Sequence, residues 1–302
     1  MNTQPPKSQG ITYGVGVTLV ICAGFFWSFM GLGMRHIELA NVWQILLYRS
    51  MSLCLFLFVV ITIRSGGAPF KAIHRAGRSS VIGACGLLLA FSCSIHSIQT
   101  TTVANAMFLF AAAPFFAALL GWVLLREKVR IGTWMATLIA ALGVLVMVLD
   151  GISAGYMAGN ITALLSALGF AIFTVSLRWG KQEDMLPAVF LAGLFAVITA
   201  LAVCFYQGYA VLLINQDGGI ALLLGVFQLG LGLTLYTVGS KVVPAVELAM
   251  LSMTEVLLGP LWVWLLLDEQ MSQYTFIGGL ILLVAIIINA MTGLRRKPTP
   301  SL

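Results

Sequence analysis

Residues 42–64 read VWQILLYRSMSLCLFLFVVITIR. The run is long enough to cross a bilayer, which takes about 20 apolar residues, yet Arg49 lies inside it. A guanidinium at bilayer depth is costly unless it snorkels, pairs or meets water. Either the segment does not span a membrane, or this arginine faces something other than lipid.

Composition favours the second answer. The chain has 302 residues, of which 60% are hydrophobic and only 9% charged, with a mean hydropathy of +1.03. A soluble domain carries roughly 25% charged residues, so there is too little polar surface here for one. The four aspartates (Asp150, Asp184, Asp217, Asp268) fall between apolar runs or at their ends. The five cysteines lie within apolar segments without metal or redox spacing and read as small buried hydrophobes. The polar start MNTQPPKSQG runs directly into a full-length span, so the first span is expected to remain as an anchor.

Ten spans are predicted, at 13–33, 43–63, 79–98, 102–124, 131–149, 156–178, 187–206, 219–239, 246–266 and 274–294. The fold class is therefore all-α integral membrane, because a helix satisfies its own backbone where no water can. With the N-terminus inside, nearly all basic residues outside the spans fall on the cytoplasmic side, and the opposite loops hold only Arg35. This asymmetry follows the positive-inside rule and predicts cytoplasmic N- and C-termini. The net charge of +6 thus reports topology rather than a nucleic-acid partner. Only Arg49 of the sixteen basic residues lies inside a span.

The chain also compares with itself. ANAMFLFAAAPFFAALLGWVLLREKV (104–129) aligns without a gap on VELAMLSMTEVLLGPLWVWLLLDEQM (246–271), so that Trp122 meets Trp264 and Glu127 meets Glu269. Arg35 falls over Arg178 in the same way. Two repeats, 1–150 and 151–302, would hold five spans each. An odd number inverts the second repeat, an arrangement found in secondary transporters with a substrate site near the midplane.

The helix ends LLREKV and LLDEQM, the YRS of the second span and AAAPFFAALLGWVLLREKV carry a resemblance to the drug/metabolite transporter superfamily. The chain looks most like its EamA-type exporters and is similar to the bacterial aromatic amino-acid exporters among them. The resemblance covers essentially the whole chain. It implies alternating-access export of small metabolites, amino acids above all, across the cell inner membrane. The implied partners are a small-molecule substrate and the lipid bilayer, with no cofactor and no metal. A cationic-drug antiporter of the same superfamily is the alternative, but its first-span glutamate is missing from YGVGVTLVICAGFFWSFMGLG. An integral-membrane enzyme ranks lower still, since no HExxH, GxSxG or Walker loop is found.

Candidate substrate-binding residues are those whose polarity lipid would reject. Trp27, in GFFWSF, sits near the middle of its span, whereas the other six tryptophans lie toward span ends. Its N–H needs a partner, either Ser28 or a substrate; facing a cavity and packing in the core both fit. In the second span, Gln44, Tyr48, Ser52 and Arg49 share an arc of roughly 140°. Arg49 can snorkel outward, form a structural pair or anchor a substrate carboxylate. Gln228 and Tyr236 share a face of the eighth span with Gly232. Glu255 lies near mid-depth in the ninth span, where a charge is costly, so it is expected to be neutral, to carry a coupling proton or to pair with a cation. Glu247, nearer the cytoplasmic end, is a lesser coupling candidate. His96 and Asn105, near helix ends, are weaker substrate candidates.

Overall fold

The computed structural model describes residues 11–75, 77–127, 129, 131–153, 155–180, 184–213, 215–243 and 245–294, although not every side chain within them. These residues contain helices and connecting turns, with no strand among them. The first half runs through α1 (Tyr13–Arg35), α2 (Val42–Arg64), the short α3 (Pro69–Arg75), α4 (Gly77–Thr100), α5 (Val103–Phe110), α6 (Ala113–Leu125) and α7 (Ile131–Ser153). The second runs through α8 (Met157–Trp179), α9 (Leu186–Gln207), α10 (Asn215–Leu223), a π-helical stretch (Leu224–Leu231), α11 (Gly232–Gly239), α12 (Ala245–Leu267) and α13 (Gln273–Leu294).

Eight of these stretches are long and apolar enough to cross a membrane, matching the first eight predicted spans. In α12 and α13 the described apolar portions are the shorter Thr254–Leu267 and Gln273–Asn289. Large apolar side chains such as Leu55, Ile63 and Leu138 stand exposed on the outer faces, as a lipid solvent requires.

Helix boundaries have local causes. Asn41 begins α2 with a capping box: its side chain accepts the N–H of Trp43 and Gln44, while the Gln44 side chain accepts that of Asn41. Thr102 caps α5 by accepting the N–H of Asn105. The fourth span is not one continuous helix as predicted. It breaks between α5 and α6, where Pro114 has no N–H to give the preceding turn. The eighth predicted span stays helical throughout but changes its hydrogen-bond register across the π-helical stretch.

The helices pair as α4 with α8, α7 with α13, α2 with α9, and α1 with both α11 and α12. Small residues set several of these contacts, as is usual where lipid offers no hydrophobic drive. A Cβ on Gly86 would lie 2.7 Å from the carbonyl oxygen of Gly169, and one on Gly169 would lie 2.5 Å from that of Gly86. Of the cysteines, Cys204 is buried as expected, whereas Cys85 is exposed on an outer face.

Candidate functional site

A cavity of about 120 Å³ opens between the two halves. Its polar lining includes Arg49 of α2, Gln228 of the π-helical stretch and Glu255 of α12. Trp27 of α1, Phe91 of α4, Phe110 of α5 and Phe170 of α8 supply much of its aromatic wall. The volume is below the roughly 300–1,000 Å³ usual for ligand pockets. Admitting a solute therefore requires the lining helices to part.

Arg49 is only 2% exposed, which removes snorkelling as its account. Its Nη2 donates to Gln228 Oε1 at 2.9 Å and lies 3.7 Å from Met30 Sδ. The guanidinium carbon is 5.6 Å from the Phe91 ring centroid, a cation–π distance. Nε and Nη1 are buried without a hydrogen-bond partner among the described residues. Glu255 lines the same cavity, near enough for each charge to sit in the other's field. Yet the ion pairs among the described residues are Arg35–Glu269, Arg64–Asp184 and Arg178–Glu127. A desolvated cation with unfilled donors thus shares an aromatic-walled cavity with a carboxyl.

The π-helical stretch puts Gln228 in position. Such stretches shift the backbone hydrogen-bond register and often occur at functional sites. Here Gly225 lets the chain press against α2: a Cβ at that position would collide with Ser52 Oγ and the carbonyl oxygen of Arg49. One turn further on, the Gln228 amide reaches Arg49, and its Nε2 donates to the Trp27 carbonyl at 3.4 Å.

The other predicted site residues are placed differently. Only Arg49 of the second-span polar arc lines the cavity. Gln44 donates to the Ala210 carbonyl, the Tyr48 hydroxyl accepts the N–H of Leu213, and Ser52 donates to the carbonyls of Arg49 and Leu222. These three fasten α2 to the segment around α10. Tyr236 packs its ring 5.3 Å from that of Trp27, behind the cavity wall. His96 contacts Thr162 at 3.4 Å, and Asn105 is buried against Thr101 and Asn160. The Glu247 side chain lies outside the described residues.

Ser28 does not serve Trp27. It accepts the N–H of Trp262 at 2.9 Å, and the Trp262 ring stacks on Phe29 at 5.5 Å. Trp262 is therefore a packing residue on α1, not the interfacial indole its position implied. Phe91, Phe110 and Phe170 escaped sequence reasoning because a phenylalanine in a membrane helix has no mark of its own. Phe110, just before the Pro114 break, carried the nearest thing to a signal.

The chain belongs to the EamA-like transporter family, whose model matches residues 14–149 and again 157–291. It is 25% identical over 282 residues to the pseudopaline exporter of Pseudomonas aeruginosa, covering 92% of this chain and 96% of that one, in each of two strains. Solute carrier family 35 member G1 of Mus musculus is 22% identical over 240 residues, 74% of this chain and 64% of the relative. A protein crystal structure at 15% identity matches with a TM-score of 0.66, covering 95% of this chain and 100% of that one, a likeness of fold. The chain is a multi-pass membrane transporter, not an enzyme.

Proposed function

We propose that this transporter exports small organic metabolites, aromatic and neutral amino acids above all, across the cell inner membrane by alternating access. One observation carries the reading: two nitrogens of the buried Arg49 guanidinium lack partners among the described residues while Glu255 lines the same aromatic cavity. A zwitterion complements that arrangement, with its carboxylate at Arg49, its ammonium toward Glu255 and its side chain against Trp27 and Phe91. A lone organic cation would have to sit beside the unneutralised arginine, which disfavours the cationic-drug antiporter. Export is the direction named for the pseudopaline exporter.

Ten spans in two inverted halves, 1–150 and 151–302, belong to the same proposal. Two features support it. The family model matches once in each half. Exchanging the halves carries α1 onto α8 and α4 onto the α10–α11 segment, so the α4–α8 packing becomes that of α11 with α1. Cytoplasmic termini follow from the charge asymmetry.

The test is transport by purified protein in liposomes against a panel of amino acids, organic cations and pseudopaline. Saturable movement of aromatic or neutral amino acids supports the reading. Movement of the cations alone rejects it. Pseudopaline belongs on the panel because similarity to its exporter spans 92% of this chain and makes a pseudopaline-like solute the second reading.

A further inference from the structure

Arg35 and Arg178 occupy equivalent places in the self-alignment, as do Glu127 and Glu269. In the structure each arginine pairs with the glutamate of the other half: Arg35 with Glu269, and Arg178 with Glu127. The loops that present the glutamates also share a backbone geometry. Arg126 and Asp268, one residue before each glutamate, are the non-glycine residues with positive φ among the described residues, at 54° and 57°. The N–H of Glu127 then returns to the Gly121 carbonyl, and that of Glu269 to the Val263 carbonyl, both at 3.2 Å. Gly121 and Val263 are themselves equivalent in the alignment. The two pairs lie at opposite ends of the bundle, because α5 and α6 run from the Arg35 end to Glu127, roughly 30 Å of helix.

Equivalent in sequence, the pairs differ in strength. Arg35 grips both Glu269 oxygens at 2.6 and 3.1 Å and also donates to the carbonyls of Ile98 and Thr101, each at 2.7 Å. Glu269 further accepts the N–H of Val103 at 2.7 Å. These contacts tie α1, the end of α4, the start of α5 and the end of α12 into one closure. At the other end Arg178 reaches one Glu127 oxygen at 3.0 Å and the Ala117 carbonyl at 3.2 Å. The side chains are 26% and 18% exposed in the first pair, against 43% and 41% in the second.

We propose that these four residues are further transport residues, forming two reciprocal latches that close the solute path alternately at its two ends. In this structure the Arg35–Glu269 latch is locked and the Arg178–Glu127 latch is loose. In the opposite state the strengths exchange, and Glu127 takes the backbone N–H of Ala245, the alignment equivalent of Val103. A bidentate, partly buried ion pair with added backbone bonds is strong, whereas an exposed single contact is weak. Each transition therefore trades one strong closure for another of the same chemistry, which keeps the two states near in energy, as shuttling requires. The inference rests on the inverted-halves reading.

The test uses full-length protein with the five native cysteines replaced by alanine and Ser94→Cys as a reporter within the cavity. Labelling by a membrane-impermeant maleimide is followed from each side of oriented vesicles. Glu269→Gln is expected to raise labelling from the Arg35 end roughly tenfold and lower it from the other. Glu127→Gln is expected to shift it the opposite way by about twofold, as befits the exposed pair. The charge-swapped Arg35→Glu/Glu269→Arg protein keeps the ion pair but not the backbone bonds, so it is expected to move labelling part of the way back to the parent pattern, and it decides the matter if a single variant does not fold. Shifts in one common direction, no shift, or no restoration would overturn the proposal and leave the four residues as helix-end fasteners. Failure of the inverted-halves reading is seen separately: Phe70→Cys and Leu212→Cys, exposed and at equivalent places in the two halves, would then label from the same side.

Discussion

Replacing Arg49 with methionine separates a substrate anchor from a structural cation. Inside the protein Arg49 has one hydrogen bond to a neutral amide, at 2.9 Å, and one ring contact, at 5.6 Å, while two nitrogens go unpartnered. That is poor compensation for a desolvated charge. Exchange of a buried charge for an apolar residue of similar volume is often neutral or stabilising, by about 1–4 kcal/mol when a whole pair is removed. Among its hydrogen bonds the exchange orphans only the Gln228 carbonyl oxygen, a cost of about 1–3 kcal/mol, while Glu255 loses a nearby cation with which it makes no direct ion pair among the described residues. The two terms nearly cancel, so Arg49→Met should melt within a few degrees of the parent in detergent. Transport should fare very differently. Loss of a charge-assisted bond to a carboxylate, about 2–3 kcal/mol, weakens binding roughly 30- to 150-fold. Arg49→Lys keeps the charge without the planar fork and should fall between the two. Thermal melting and liposome uptake on the same preparations give both readouts. A methionine variant that melts much lower and loses transport only in proportion to folded protein would refute the reasoning. So would one that transports normally.

Glu255→Gln imitates a protonated carboxyl and should abolish accumulation driven by a pH gradient while sparing substrate exchange. If the parent shows no gradient dependence, Glu255 is no coupling site. Gly225→Val should lower the melting temperature clearly, since overpacking costs about 1–3 kcal/mol and the nearest atoms include the Arg49 backbone; Gly219→Ala, with open space around it, should not. For topology, a reporter fused at the C-terminus should be cytoplasmic. Leu212→Cys, at a position 86% exposed, should label from outside. Asp217 nearby is unsuitable, because it is 6% exposed and its carboxylate accepts the N–H groups of Glu38, Leu39 and Ala40. Labelling in the reverse sense overturns the orientation.

The sequence by itself determined where helices form and roughly where they stop. A long apolar run in lipid has no other way to satisfy its backbone, and Asn41, Thr102 and Pro114 set local boundaries through their own hydrogen-bonding chemistry. It also determined which residues were too polar for lipid, Arg49 and Glu255 among them, and brought the four latch residues into register before any fold was known. Only the tertiary structure decided what those residues meet. The amide that holds Arg49 stands 179 residues away, on a stretch whose π-helical register accompanies the close approach of Gly225 to α2. Tyr48 and Ser52 share the arc of Arg49 yet turn to α10 and its flanks, and Trp262, not Trp27, takes Ser28. In a soluble helix the apolar stripe reveals the buried face. Lipid tails are as apolar as a packed interior, so every face of these helices looks alike in sequence, and the choice of face passes to packing.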